Sequence, residues 1–152
     1  MNRIAEALQS IAATLWVGGL WISGFVVAPL LFSRLDDRVL AGLLAGRVFS
    51  LIAWIGIGCA IYLIVFRLAR AGGGAFRQGV FWTALLMLLL TCAGEFGVQP
   101  IMAALKEQAL PQQVMESLLR DRFSAWHGVA SVLHVVLSVL GAVLIVLLGR
   151  GK

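Results

Sequence analysis

Glu95, His127 and His134 are the residues of this chain whose types and setting could do chemistry. Each lies inside a long apolar run, where an ionisable side chain costs roughly 3 to over 10 kcal/mol unless it finds a partner or water. A carboxylate and an imidazole held there can bind or pass a proton, or ligate a cation. The two histidines are seven residues apart, so they share a helix face but stand about 10.5 Å apart along it. They cannot both ligate one small ion, nor be the two axial ligands of one haem, so any site must combine one histidine with another helix. Glu95 falls between them in depth and can pair with either, or with Arg47. As metal ligands His127, His134 and Glu95 rest on residue type alone, because their spacing matches no zinc motif. Glu95 with Gln99 forms E-x-x-x-Q, which is diagnostic of nothing. No Ser-His-Asp arrangement, phosphate loop, dinucleotide fingerprint or paired-carboxylate motif accompanies them. The reading leans away from an enzyme, and no cofactor is required.

The elements that must position these residues are membrane spans. The hydrophobic fraction is 61%, mean hydropathy is +1.00 and 12% of residues are charged, well outside the soluble range. Four apolar stretches, at 4–32, 39–66, 80–105 and 123–148, each reach the roughly 20 residues that cross about 30 Å of hydrocarbon. The expected fold is all-α: one integral-membrane four-helix bundle over residues 1–152. The first stretch is too long for a signal-peptide core and lacks a small-residue cleavage site, so it is expected to stay as a helix. Cys59 and Cys92 fall inside spans and are expected to pack as small apolar residues. Despite a pI of 10.3, the basic residues lie at span ends rather than in one patch, which argues against a nucleic-acid partner.

Helical rise sets the depths. From Arg77, Glu95 lies about 27 Å across; from Arg150, His134 lies about 24 Å and His127 about 35 Å across; from Arg67, Arg47 lies about 30 Å across. Arg47, Glu95, Gln99, His127 and His134 therefore share one layer toward the side opposite the termini, which would be the outer leaflet. Pro29 joins it from the first span, freeing the carbonyl of Phe25. Each residue also has an ordinary structural use. Arg47 can snorkel to headgroups, His127 can sit beside the belt residue Trp126, and His134 or Glu95 can be satisfied by a neighbouring helix.

An even span number puts both termini on one side. Lys and Arg tie at six on each side, but the short Arg67–Arg77 connection holds three arginines and no acid, so that side is expected to be cytoplasmic. Gly72-Gly73-Gly74 suggests a flexible turn there. Asp36 or Asp37 is a candidate cap for the second helix. Between the third and fourth spans, Pro111 with Leu110, Val114, Met115, Leu118 and Leu119 suggests a short amphipathic helix. Small residues recur at helix-packing spacing. Gly18, Gly19, Gly42, Gly46, Gly56 and Gly128 are the candidate close-approach positions, within the chain, in a homo-oligomer or against partner helices.

Leu15–Phe32 (LWVGGLWISGFVVAPLLF), Ala45–Phe49 (AGRVF) and Phe123–His134 (FSAWHGVASVLH) together resemble a bacterial four-span family of uncharacterised function. That family is similar to a eukaryotic small transmembrane protein associated with platinum-drug resistance, and more distantly to copper-resistance D-type membrane domains. The resemblance implies a multi-pass inner-membrane protein and carries no activity with it. No Met-rich or Cys-rich motif supports a copper site. Three functions follow as alternatives: a polar outer-leaflet cavity binding or conducting a small ligand, cation or proton; a structural scaffold or assembly factor; or a haem or quinone redox protein using His127 or His134.

Overall fold

The computed structural model describes residues 3–109 and 116–150. Among them every regular element is helical. Four helices are long and apolar enough to cross a membrane: span 1, Arg3–Arg34; span 2, Leu40–Arg77; span 3, Gly79–Leu105; span 4, Ser124–Arg150. Span 1 packs on spans 2 and 4, and span 3 on the same two, so the spans form a closed ring with 1 and 3 on one diagonal. Each span sends one large side chain to the centre, fully buried: Trp16, Leu63, Met87 and Leu144. Apolar residues on the outside, among them Ile4, Leu51, Val65, Leu89 and Val132, are largely exposed and make the lipid-contacting surface. Lipid is as apolar as these side chains, so association rests on van der Waals fit and a few polar bonds.

Helix ends follow local chemistry. Asp37 Oδ1 accepts the Leu40 amide at 3.1 Å and its carbonyl accepts from Ala41, satisfying donors that the first turn of α3 (Arg38–Ala71) would otherwise leave open. At the other end of α3, Gly72 takes φ +52°, the left-handed conformation that stops a helix at low cost in a residue without Cβ. The chain then differs from the flexible turn expected of three glycines. Gly72–Arg77 winds into a 3-10 helix and buries Ala75 completely, and Gln78 closes it with a 3.0 Å bond to the Ala75 carbonyl. Burial of one methyl group and the short-range bonds order what composition alone leaves open.

The expected short amphipathic helix falls largely on residues outside those described, 110–115, but Glu116 onward already belongs to one helix running to Arg150. Leu118 and Leu119 thus occupy the leading turns of the fourth helix itself. Cys59 belongs to the core and Cys92 is half-buried, both as free thiols.

Candidate functional site

Two of the four spans are interrupted in the same way. Residues Arg3–Ile22 (α1) and Ala28–Arg34 (α2) are joined by a π-helical turn, Ser23–Val27; Gly79–Ala93 (α4) and Gln99–Ala109 (α5) are joined by another, Gly94–Val98. In each the closing amide reaches back five residues, Ala28 to the Ser23 carbonyl and Gln99 to the Gly94 carbonyl. A proline follows directly, Pro29 in span 1 and Pro100 in span 3. Proline has no N–H to give and its ring crowds the carbonyl four residues back, here Phe25 and Phe96. One extra residue per turn relieves that crowding and lets the helix continue.

The two turns are copies. Ser23-Gly-Phe-Val-Val-Ala-Pro29 and Gly94-Glu-Phe-Gly-Val-Gln-Pro100 share F-x-V-x-P behind a small residue. The same offset brings Ala13 onto Ala84, Trp16 onto Met87 and Leu20 onto Thr91, and all six are buried. Spans 1 and 3, diagonal to one another in the ring, therefore match about an axis along the bundle. This repeat was missed at the sequence level, although the signal was present in Phe25-x-Val27-x-Pro29 and Phe96-x-Val98-x-Pro100.

At the second position of each turn stands a contact with chemical potential. In span 3 it is Glu95, half-buried, whose Oε1 accepts a hydrogen bond from Ser50 Oγ of span 2. One turn further, Gln99 Nε2 donates to the Gly46 carbonyl at 3.1 Å. The residues are four apart on both helices, so the bonds form two rungs of an antiparallel ladder between spans 2 and 3. In span 1 the equivalent position is Gly24, and its missing side chain is filled from span 4. A Cβ there would stand 2.0 Å from His134 Nε2. The imidazole is wedged edge-on between Phe25 at 5.9 Å and Phe49 at 5.3 Å, centroid to centroid. The Leu20 carbonyl faces the ring, yet no acceptor meets the buried Nε2 in hydrogen-bond geometry among the described residues. Below it, Ser138 Oγ bonds the His134 carbonyl at 2.8 Å, and Trp21 Nε1 bonds the Ser138 carbonyl at 3.2 Å, fixing span 4 to span 1.

Glu95 and His134 are thus brought to one level of the bundle, on either side of the adjacent pair Phe49-Ser50 of span 2. That level lies about 12 to 20 Å along the helices from the Trp16, Leu63, Met87 and Leu144 centre. Glu95 takes Ser50 as its partner rather than Arg47 or a histidine. Arg47 is exposed and makes no ion pair among the described residues. His127 is exposed at the end of span 4, its carbonyl accepting from Ser131 Oγ at 2.8 Å. Among the described residues no three His, Cys, Asp or Glu side chains come together in a metal-binding group. Of the candidate packing glycines, Gly19 meets Ile52 at 3.1 Å and Gly56 meets the Trp16 indole at 2.2 Å from an added Cβ, whereas Gly18 and Gly128 face open space. A groove along spans 1 and 2, lined by Gly18, Gly19, Ile22, Ser23, Val48 and Ile52, is almost wholly apolar and holds neither Glu95 nor His134. Ser50, Gly24 and Phe49, which help make the site, were not among the residues singled out from sequence, and Phe25 entered only through its carbonyl.

The family profile described as a domain of unknown function (DUF4149) matches residues 11–111, two thirds of the chain and both π-turns. No curated protein and no solved structure matches it. The chain belongs to the DUF4149 family.

Proposed function

We propose that this DUF4149 protein binds a proton at Glu95, with His134 as a second acceptor, and couples it to the passage or binding of a small solute or cation. One observation carries the reading: the paired proline-terminated π-turns. In membrane proteins built from repeats, helices interrupted at corresponding positions mark the substrate or ion site between the halves, and π-bulges are often kept at functional sites. Here one interruption presents Glu95 and the other abuts the His134 imidazole. Ser50 orients the carboxylate, and Gln99 holds the same stretch of span 3 against span 2 through the Gly46 carbonyl. Arg47 and His127, exposed at the same end, would set the field at the mouth. Glu95 is half-buried and His134 Nε2 is buried, so access to the imidazole requires movement of the segments beyond the turns, and a helix short of a backbone bond at Pro29 or Pro100 bends most readily there. We place the protein in the bacterial inner membrane with both termini, and the Arg67–Arg77 connection, on the cytoplasmic side.

A scaffold role is favoured by a different observation: Ser50 and Gln99 satisfy their partners inside the chain, which is what a purely structural clamp would do. Haem ligation through His134 has less support, because Nε2 lies against Gly24 with no space for an iron and its macrocycle. The deciding measurement uses proteoliposomes with a trapped pH-sensitive dye. Glu95→Gln keeps an acceptor for Ser50, so the bundle should persist while pH-dependent flux or binding falls at least ten-fold. Wild-type rates in the variant, with a folded bundle, would rule the proposal out and leave the scaffold.

A further inference from the structure

We infer a second site, at the opposite end of the bundle, that takes the phosphate of an anionic phospholipid, with Arg67 as its principal ligand. Arg67 lies near the end of α3, half-buried, and its Nη1 donates to Gln78 Oε1 at 3.2 Å, across the 3-10 connection. Its Nε is buried and has no partner. Among the described residues the one ion pair is Arg70 Nη1 to Glu6 Oε1, at 2.5 Å, so the nearby carboxylate is already taken by the neighbouring arginine. Arg77 adds a third, exposed cation at the end of the connection. A guanidinium withdrawn from water with only a neutral amide for company lacks a counter-charge, and among the described residues no carboxylate pairs with it.

The surroundings say where that charge comes from. Trp82 Nε1 bonds the Phe76 carbonyl at 2.8 Å, and the Phe76, Phe81 and Trp82 rings meet edge to face beside the same connection. Phe76 and Trp82 are more than half exposed. Exposed tryptophan whose indole nitrogen is engaged at a helix end is the signature of headgroup depth. Arg67 therefore lies at the level of lipid phosphates, and its planar fork matches a phosphodiester. A zwitterionic headgroup brings its own ammonium to compete, so an anionic lipid is preferred.

The test uses the full chain in nanodiscs of phosphatidylcholine alone and of phosphatidylcholine with phosphatidylglycerol, reading thermal stability and the lipid retained in native mass spectra. Wild type should retain phosphatidylglycerol over phosphatidylcholine by about five-fold for each arginine engaged, and should unfold at higher temperature in the mixed lipid. Arg67→Met should unfold no earlier than wild type in phosphatidylcholine, since it removes an uncompensated charge, and should lose the gain from phosphatidylglycerol. Arg34→Gln, at the other end, should keep that gain. Equal retention of the two lipids by wild type overturns the inference without recourse to any variant, as does a full phosphatidylglycerol gain in Arg67→Met. Inorganic phosphate stabilising the detergent-solubilised chain as strongly as phosphatidylglycerol would also overturn it, assigning the site to a soluble anion.

Discussion

Gly24→Ala tests the fit at the heart of the candidate site. A methyl group there would fall 2.0 Å from His134 Nε2, 2.5 Å from Cδ2 and 2.9 Å from Cε1, against a flat ring held by Phe25 and Phe49 rather than a flexible chain end. Alanine gains about 0.8–1.0 kcal/mol over glycine from helix propensity. Overpacking costs about 1–3 kcal/mol, so the net effect is a loss of up to about 2 kcal/mol. For a chain of this size each kcal/mol moves the unfolding midpoint by about 2–4 °C. Gly18→Ala, in the same helix but facing open space, meets no such opposition and should raise the midpoint by about 2–4 °C. The discriminating variant is Gly24→Ala with His134→Ala, which removes the ring that the new methyl group strikes. A thermal-unfolding double-mutant cycle in detergent should return a favourable coupling of at least about 1 kcal/mol. Strict additivity, or a Gly24→Ala midpoint equal to that of Gly18→Ala, would refute the close approach of span 4 to the first π-turn.

Ser50→Ala removes the donor to Glu95 and Gln99→Ala the donor to Gly46. Each should lower stability by about 0.6 kcal/mol, with about 1.7 kcal/mol as a ceiling for an interhelical membrane bond, measured by denaturant or steric-trap unfolding. Pro100→Ala restores an amide able to bond the Phe96 carbonyl. Hydrogen exchange of the Gly94–Val98 amides should slow in that variant while flux falls, and unchanged exchange would speak against the turn as a pivot. Trp21→Phe loses the bond to the Ser138 carbonyl. It should cost about 0.6 kcal/mol and broaden the His134 ring resonances in NMR spectra of the detergent-solubilised chain, whereas Trp54→Phe, whose indole is exposed against Phe96, should do neither.

The fold was legible because length and hydropathy alone decide membrane spanning: lipid leaves an isolated helix no other way to satisfy its backbone. The level of the site was legible too, since rise per residue converts sequence position into depth, and Glu95, Gln99 and His134 do fall near one another along the bundle. Which side chains meet was not. That depends on the rotation of each helix about its own axis, which is set by fit, and the fit here turns on glycines. Gly24 and Gly56 are positions where a ring from another span lies against the backbone, and a glycine's sequence context does not say what will fill its space. Pro29 was singled out but Pro100 was not: the two turns share only Phe, Val and Pro and differ at Ser23/Gly94, Gly24/Glu95, Val26/Gly97 and Ala28/Gln99, which hides the match.

The repeat has a consequence for direction. Spans 1 and 3 run in the same direction, so the axis relating their π-turns runs along the membrane normal. Transporters whose halves are inverted can open to either face by exchanging the roles of those halves. Here exchange of the matching spans returns the same face. The end bearing the π-turns and the end bearing Arg67, Arg70 and Arg77 remain chemically unequal in every arrangement of the spans. A solute passing as proposed would therefore meet a molecule with built-in polarity, and its inward and outward rates would have no reason of symmetry to match.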